Sequence, residues 1–428
     1  MAQVEDIRKY LTKDVIFNKI NEKFISMDPD DIKDNNQFLK KILEELLIGA
    51  MKKESPLFAK TYQKIVWAGS YYKETRVGQP EEYDLNFVIN LPFKEKDIEI
   101  STDRPGFVKI RYTAWKDRNL DNNSLNLDPK AYKELKSFID DQSYLDQEKF
   151  RRWMKGILSK VANATGGNNR IIFDGCEPIR MKESGPAFTL ILKLLNSGRT
   201  IDIDIVPVFI YSISSLPSIK CSTSKRNFLN VRSHYNRYWS AVPKPLHGFG
   251  DSGNRYWRLC FYEFEQDLLC DHNYQSMKPV IRQLKKLRNN QQGWKSVASY
   301  YLETLCYHES EMFHMSQKNS MTFLFFTMLE KLRDAFQNRS IIYYWDDDHN
   351  LLEKIGHSEM ENMKGRLNNA LKSIRKNIKE DPYAIAKWVL SPDELHILKS
   401  LEHEITSNST SESEPEPEAS AQGKCVIL

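Results

Sequence analysis

Two short acidic stretches of this 428-residue chain are spaced for metal-assisted chemistry. The first follows Gly69-Ser70 after eleven intervening residues and reads Glu82-Tyr83-Asp84-Leu85-Asn86-Phe87-Val88-Ile89. Alternate side chains of a strand point the same way, so Glu82, Asp84 and Asn86 share one face and Tyr83, Leu85, Phe87 and Ile89 the other. Two carboxylates that close repel each other and are costly to bury without a counter-charge. A divalent cation relieves this, and hard Mg²⁺ prefers oxygen ligands. The second stretch, residues 200–208, places Asp202, Asp204 and Val206 on one face of another strand. Alone, it reads as an amphipathic strand with carboxylates facing water. Beside Glu82 and Asp84 it supplies a third carboxylate. Three carboxylates on neighbouring strands can hold two Mg²⁺ ions, one activating a hydroxyl nucleophile and the other neutralising the charge of a triphosphate as its leaving group departs. Gly69 permits close backbone approach to a phosphate, and Ser70 adds a hydroxyl donor.

These residues need a sheet and a wall. Residues 65–115 are β-rich, and the strand signals at 170–173, 187–192 and 200–208 belong with them in one mixed sheet. Residues 1–55 read as helices. Phe38–Met51 has apolar residues near period 3.6 with lysines on other faces. From about 256 onward the pattern is helical, with segments at 257–270, 277–290, 297–308, 321–336 and 349–377. The expected class is α+β: a bilobed molecule with a mixed-sheet lobe over 1–255, including the N-terminal helices, and an all-helical lobe over 256–405. Between such lobes lies a cleft. Residues 406–428 are rich in Ser, Glu and Pro and are expected to be a disordered acidic tail.

Composition narrows the class. Hydrophobic residues are 40% and charged residues 28%, as in a globular chain. The net charge is +4 although the tail holds four Glu and one Lys, so the body is more basic than the total. That suits a polyanionic partner. Six cysteines form no Cys-x-x-Cys pair, which argues against a disulfide framework and fits a reducing cytosol. The first residues form no apolar run of the signal-peptide kind, and no stretch of about 18 apolar residues exists.

The Gly-Ser turn, the alternating acidic strand and the later acidic strand form the pattern of polymerase-beta-like nucleotidyltransferases. Residues 69–89 more closely resemble the matching stretch of cyclic GMP-AMP synthase and its animal relatives, the cyclic GMP-AMP synthase-like receptors. Four further segments resemble that family in the same order: Ser184–Leu190, Asp204-Ile205-Val206-Pro207, Trp257–Phe261 with Glu265, and Ser299–Thr304. The resemblance spans roughly residues 1–400. It implies that Glu82, Asp84 and Asp204 bind two Mg²⁺ ions, with Mn²⁺ as the substitute, and that Asp204 is the base for the attacking hydroxyl. It implies further that Gly69 and Ser70 hold triphosphate oxygens. Lys285, with Lys286 as competitor, and Ser299 would bind phosphate. Tyr300 would stack on a base, Arg258 would reach the acceptor base, and Glu265 would line the nucleotide pocket. Taken one at a time, these read as ordinary core aromatics, surface charges and ion pairs.

The implied activity joins ATP and GTP, or two like nucleotides, into a cyclic dinucleotide in innate immunity. The alternatives are a linear product of the oligoadenylate kind and a catalytically silent scaffold of the same fold. The loop between Ser70 and Glu82, with Lys73, Arg76 and Gly78, is expected to be the mobile part that an activator orders. Vertebrate members carry a His/Cys zinc ribbon where this chain has only Cys270, His272 and a short polar run, so no structural zinc is expected. That departure favours the insect-type members and duplex RNA over duplex DNA as activator. Candidate RNA contacts are Lys40, Lys41, Lys52, Lys53, the run from Lys220 to Arg226, and Arg232. Cys425-Val426-Ile427-Leu428 fits the geranylgeranylation pattern, with Cys425 as the lipidated residue. The expected location is cytoplasmic, with membrane association through that group.

Overall fold

The structure is a computed structural model that describes residues 7–27, 29–79, 81–117, 123–166, 170–174, 176–195, 198–244, 246 and 250–408. Cys425 and the rest of 409–428 lie outside the described residues.

Among the described residues ten strands form one sheet: β1 (Tyr62–Ala68), β2 (Glu82–Ile89), β3 (Ile98–Arg104), β4 (Phe107–Tyr112), β5 (Arg170–Ile171), β6 (Ile179–Ser184), β7 (Ala187–Lys193), β8 (Thr200–Tyr211), β9 (Trp239–Val242) and β10 (Tyr256–Cys260). The main order is β3-β4-β10-β9-β8-β7-β6-β5, and β2 joins it by pairing with β8 while β1 pairs with β2. The β2–β8 pair is parallel, whereas the others are antiparallel, so the sheet is mixed.

The alternation of β2 and β8 decides which face is buried. Tyr83, Leu85 and Phe87 are fully buried, as are Ile203 and Ile205, with Ile201 almost so. A one-residue slip would turn all of them to the polar face, and so the hydrophobic set also fixes the register. In that register Glu82 stands beside Asp202, Asp84 beside Asp204 and Asn86 beside Val206. The apolar face is covered partly by the helix Gln147–Ala164, where Phe150 packs on Phe209 and Trp257.

A long helical rod runs from Pro29 to Glu54, and its middle turns, Lys41–Leu47, are π-helical. Ile42, Leu43, Leu47, Ile48 and Met51 are buried in the core. The second half is helical over Tyr262–Cys270, Met277–Asn290, Ser299–His308, Met321–Asn338, His357–Asn377 and Pro392–Asn408.

Two helical expectations are corrected. Tyr256–Cys260 is a strand of the sheet, and the helix begins only at Tyr262. Trp257 and Leu259 alternate inward, while Arg258 and Cys260 are less buried, a period of two that the following apolar residues mask. Residues 346–350 form a strand with 342–343, and the next helix starts at His357 rather than 349. Among the described residues no helix is long and apolar enough to cross a membrane.

Candidate active site

The parallel register brings the carboxylate-bearing positions of two adjacent strands together, with Asp84 opposite Asp204. Thr189, opposite Asp204 on the other side of β8, donates its hydroxyl to Asp204 Oδ1 at 2.5 Å. Above them β1 ends at Ala68, opposite Asp84, and the chain turns into the single helical turn Gly69–Tyr72. Gly69 has φ +75°, a conformation that costs a residue with a Cβ. A Cβ placed there would lie 1.8 Å from Asp84 Oδ2. The glycine of the turn is therefore needed by the acidic strand as well as by any phosphate.

Burial, and then the charges of Glu82 and Asp204, push the Asp84 carboxyl up to about 6, against the pull of Arg76 and Lys73. Such a group is short of positive charge. Glu82 is more exposed and pairs with Arg76 at 3.5 Å, while the same guanidinium donates to Glu82 O at 3.0 Å and Gln79 O at 2.8 Å. Among the described residues, no three His, Cys, Asp or Glu side chains already converge as a metal cluster. The donor set is nevertheless all oxygen, and Asp84 is buried with Glu82 and Asp204 as acidic neighbours. Both features fit a hard divalent cation.

The second lobe meets the loop after the Gly-Ser turn in a buried ion network. Lys73 Nζ lies 2.7 Å from Glu265 Oε2 and 3.1 Å from Glu303 Oε2. Lys285 Nζ lies 2.6 Å from Glu303 Oε1 and donates to Thr75 Oγ1 at 2.9 Å. Tyr300 and Trp345 donate to Glu265 Oε1 at 2.6 and 3.1 Å. Lys73, Thr75, Glu265, Lys285 and Glu303 are each 4% exposed or less. Burial alone would raise the Glu303 carboxyl, but Lys285 and Lys73 outweigh it and hold the group down at about 2.

The expected nucleotide residues are thus gathered, though unevenly. Glu265 and Tyr300 touch, and Arg258 lies over the Tyr300 ring at 5.9 Å. Lys285 reaches them only through Glu303 and Lys73, and points into the network. Lys286 is drawn away to Glu394 at 2.5 Å. Ser299 is the first residue of the helix that carries Tyr300 and Glu303. Lys73 departs from the mobile role expected of it: it is a buried anchor. Arg76 is likewise engaged, and Gly78 supplies a left-handed turn with φ +81°.

Sequence reasoning missed Thr75 and Glu303 and gave Lys73 a different role, because the contacts of Lys73 and Thr75 with Glu303 cross between the lobes. It also missed Lys244. Burial lowers Lys244 to about 8, helped by the like charges of Arg258 and Lys354. His349, beside Arg258 and Lys244, is lowered to about 4, chiefly by burial. Cations that crowd together in this way invite an anion beside Arg258.

The candidate RNA contacts divide. Lys220 pairs with Asp348 at 2.9 Å, Lys225 with Asp347 at 3.0 Å and Arg232 with Asp271 at 3.9 Å. Lys40, Lys41 and Lys53 are exposed on the helical rod, and Lys52 lies over the Tyr62 ring. A cavity of about 460 Å³ between the helix Val15–Phe24 and residues 378–385 is lined by none of the candidate site residues.

Residues 71–271 match the Mab-21 protein nucleotidyltransferase domain, and residues 276–369 match the Mab-21 protein HhH/H2TH-like domain. A Cyclic GMP-AMP synthase-like receptor of Microplitis demolitor is 34% identical over 407 residues, covering 94% of this chain and 72% of that protein. Proteins of the same description from Trichogramma pretiosum and Aethina tumida are each 32% identical, covering 94% and 91% of this chain and 81% and 94% of their own lengths.

Proposed function

Because the chain belongs to the family of cyclic GMP-AMP synthase-like receptors, we propose that it is a nucleotidyltransferase of innate immunity that joins ATP and GTP into a cyclic dinucleotide. The observation that carries the reading is the parallel register of β2 and β8, with Asp84 beside Asp204 under the Gly69 turn. Two Mg²⁺ ions held by Glu82, Asp84 and Asp204 would supply hydroxyl activation and charge neutralisation on the triphosphate.

The chain's own residues do the rest. Asp204 accepts the proton of the attacking hydroxyl. Thr189 holds its Oδ1, so Oδ2 is the oxygen left to receive that proton. Gly69 and Ser70 meet the triphosphate with backbone N–H groups and a hydroxyl. Arg258 and Lys244 offer positive charge for a second nucleotide's phosphate or base edge, with Tyr300 as the stacking surface. Ser299, at a helix start, donates to phosphate, and Glu265 and Lys285 brace the pocket from behind.

Duplex RNA is the proposed activator. Backbone recognition needs exposed cations, and Lys40, Lys41 and Lys53 supply them along the rod. Exposed pairs such as Lys220–Asp348 are weak enough to be exchanged for phosphates. Cys425, in Cys425-Val426-Ile427-Leu428, is the proposed prenylation site. Cys425→Ser is then expected to move protein from membrane to soluble fractions, and identical fractionation of the two forms would contradict it.

The test of function is incubation with the four nucleoside triphosphates and Mg²⁺, with and without duplex RNA or duplex DNA, followed by product identification. A phosphatase-resistant dinucleotide made from ATP and GTP, in greater yield with RNA, is expected. A phosphatase-sensitive oligomer would instead assign a linear-product enzyme, and no product under any condition would leave the scaffold reading.

A further inference from the structure

We infer that Lys73 and Glu303 are positioning residues: their buried pair fixes the Gly69-Ser70 turn to the helical lobe. The inference rests on the nucleotidyl-transfer reading of that turn, and it adds residues that neither the strand pattern nor the two matched domains assign a role.

The geometry runs without a gap from the second lobe to the turn. Glu303 takes Lys73 Nζ and the Thr75 hydroxyl on separate oxygens, at 3.1 Å each, and Lys285 closes the set by binding both Glu303 and Thr75. Thr75 N donates to Ser70 O at 2.9 Å, and Lys73 N donates to Gly69 O at 3.2 Å. Fixing Thr75 and Lys73 therefore fixes the two residues that would meet a triphosphate. Between them Glu74 has φ +56°, a left-handed conformation that a glutamate holds only when its neighbours enforce it. Its side chain is tied to Lys278 at 2.8 Å, again on the helical lobe.

The charges balance. Lys73, Lys285, Glu265 and Glu303 make two cations and two anions, and Tyr300 and Trp345 satisfy the remaining acceptor, Glu265 Oε1. A closed, fully paired network resists local opening, because releasing one lysine strands a buried carboxylate. The rings of Tyr262 and Tyr300 flank Lys73 Nζ at 5.3 and 5.6 Å and leave little room for it to swing. Lys73 thus acts as a staple, and the turn comes to the nucleotide already shaped.

The experiment compares wild type with Lys73→Met, Lys73→Arg, Glu303→Gln and Thr75→Val in the full chain. Amide hydrogen exchange over residues 70–76 is measured together with kcat and KM for the nucleotides. Lys73→Met and Glu303→Gln are expected to speed exchange of the 73–75 amides by about tenfold or more, while central sheet amides keep their protection. KM is expected to rise by about tenfold with a smaller change in kcat, and Lys73→Arg to recover most of the loss. Thr75→Val removes one hydroxyl and no charge, so it reports on the network even where Lys73→Met fails to fold. Unchanged loop exchange in these variants overturns the inference. So does a lower KM in Lys73→Met, which would make the lysine a blocker of the site. Hydrogen exchange needs no turnover, so a wild type that makes no product defeats the proposed function and leaves this test decisive.

Discussion

Gly69 and Asp84 stand so close that a methyl group on the glycine would come 1.8 Å from the carboxylate oxygen Oδ2. The turn that would cradle a phosphate and the strand that would hold a metal are therefore one packed unit. Gly69→Ala is expected to displace the Asp84 carboxylate and to cost about 10²-fold in turnover, the scale of a 1 Å misplacement. The left-handed φ adds about 1–2 kcal/mol of destabilisation. Steady-state kinetics and a melting curve on the same sample separate the two effects. Full activity would show that the loop moves freely away from Asp84.

Asp84 gives the site a pH signature. Its carboxyl is raised to about 6 by burial and by Glu82 and Asp204, above its ordinary value of 3.8. A carboxyl raised on folding favours the metal-free protein at low pH, and that advantage is lost as pH rises through about 6. A bound cation reverses the preference by favouring the ionised form. Mg²⁺ is thus expected to raise the melting temperature more at pH 7.5 than at pH 5.5, with most of the change near pH 6. An equal shift at both values would remove Asp84 from the metal site.

Thr189 is 2% exposed and its hydroxyl has Asp204 as partner. Thr189→Val keeps the shape and frees the carboxylate to rotate. Hydrogen bonds to charged groups are worth about 1.5–3 kcal/mol, so kcat is expected to fall by about tenfold to a hundredfold. KM should change little, because the residue would meet no nucleotide. A rise in KM at constant kcat would assign Thr189 to binding instead.

Lys244 titrates near the top of the physiological range. Burial, with Arg258 and Lys354, lowers it to about 8, so it is charged at pH 7 and neutral by pH 9. Nucleotide affinity is expected to weaken as pH rises through about 8 and to lose that dependence in Lys244→Met. Equilibrium binding of a nucleotide with Ca²⁺ in place of Mg²⁺ reads this directly. An unaltered pH profile in the variant would separate Lys244 from the nucleotide.

Much of the catalytic half was legible in the chain because its signals are local. The period of two in Glu82–Ile89 reveals both the core face and the acidic face, and the second acidic strand needs only its own alternation to be seen. Their parallel pairing is a tertiary fact that neither pattern carries by itself. Lys73 was not legible, because its meaning comes from Glu265 and Glu303, 192 and 230 residues away. A lysine in a polar loop looks solvated until a second lobe buries it. Tyr256–Cys260 was misread for another reason: Phe261, Phe264, Leu268 and Leu269 carry a helical period that runs up against a strand of period two. Lys244 offers no pattern, since only the fold brings it to Arg258.

Glu82, Asp84 and Asp204 are proposed to perform nucleotidyl transfer together. The most direct measurement follows labelled ATP and GTP with Mg²⁺ and duplex RNA, using wild type, the Glu82→Ala/Asp84→Ala double variant and Asp204→Asn, each shown to be folded by its melting curve. A phosphatase-resistant dinucleotide is expected from wild type and none above background from either variant. Product formation by the variants at the wild-type rate would contradict it.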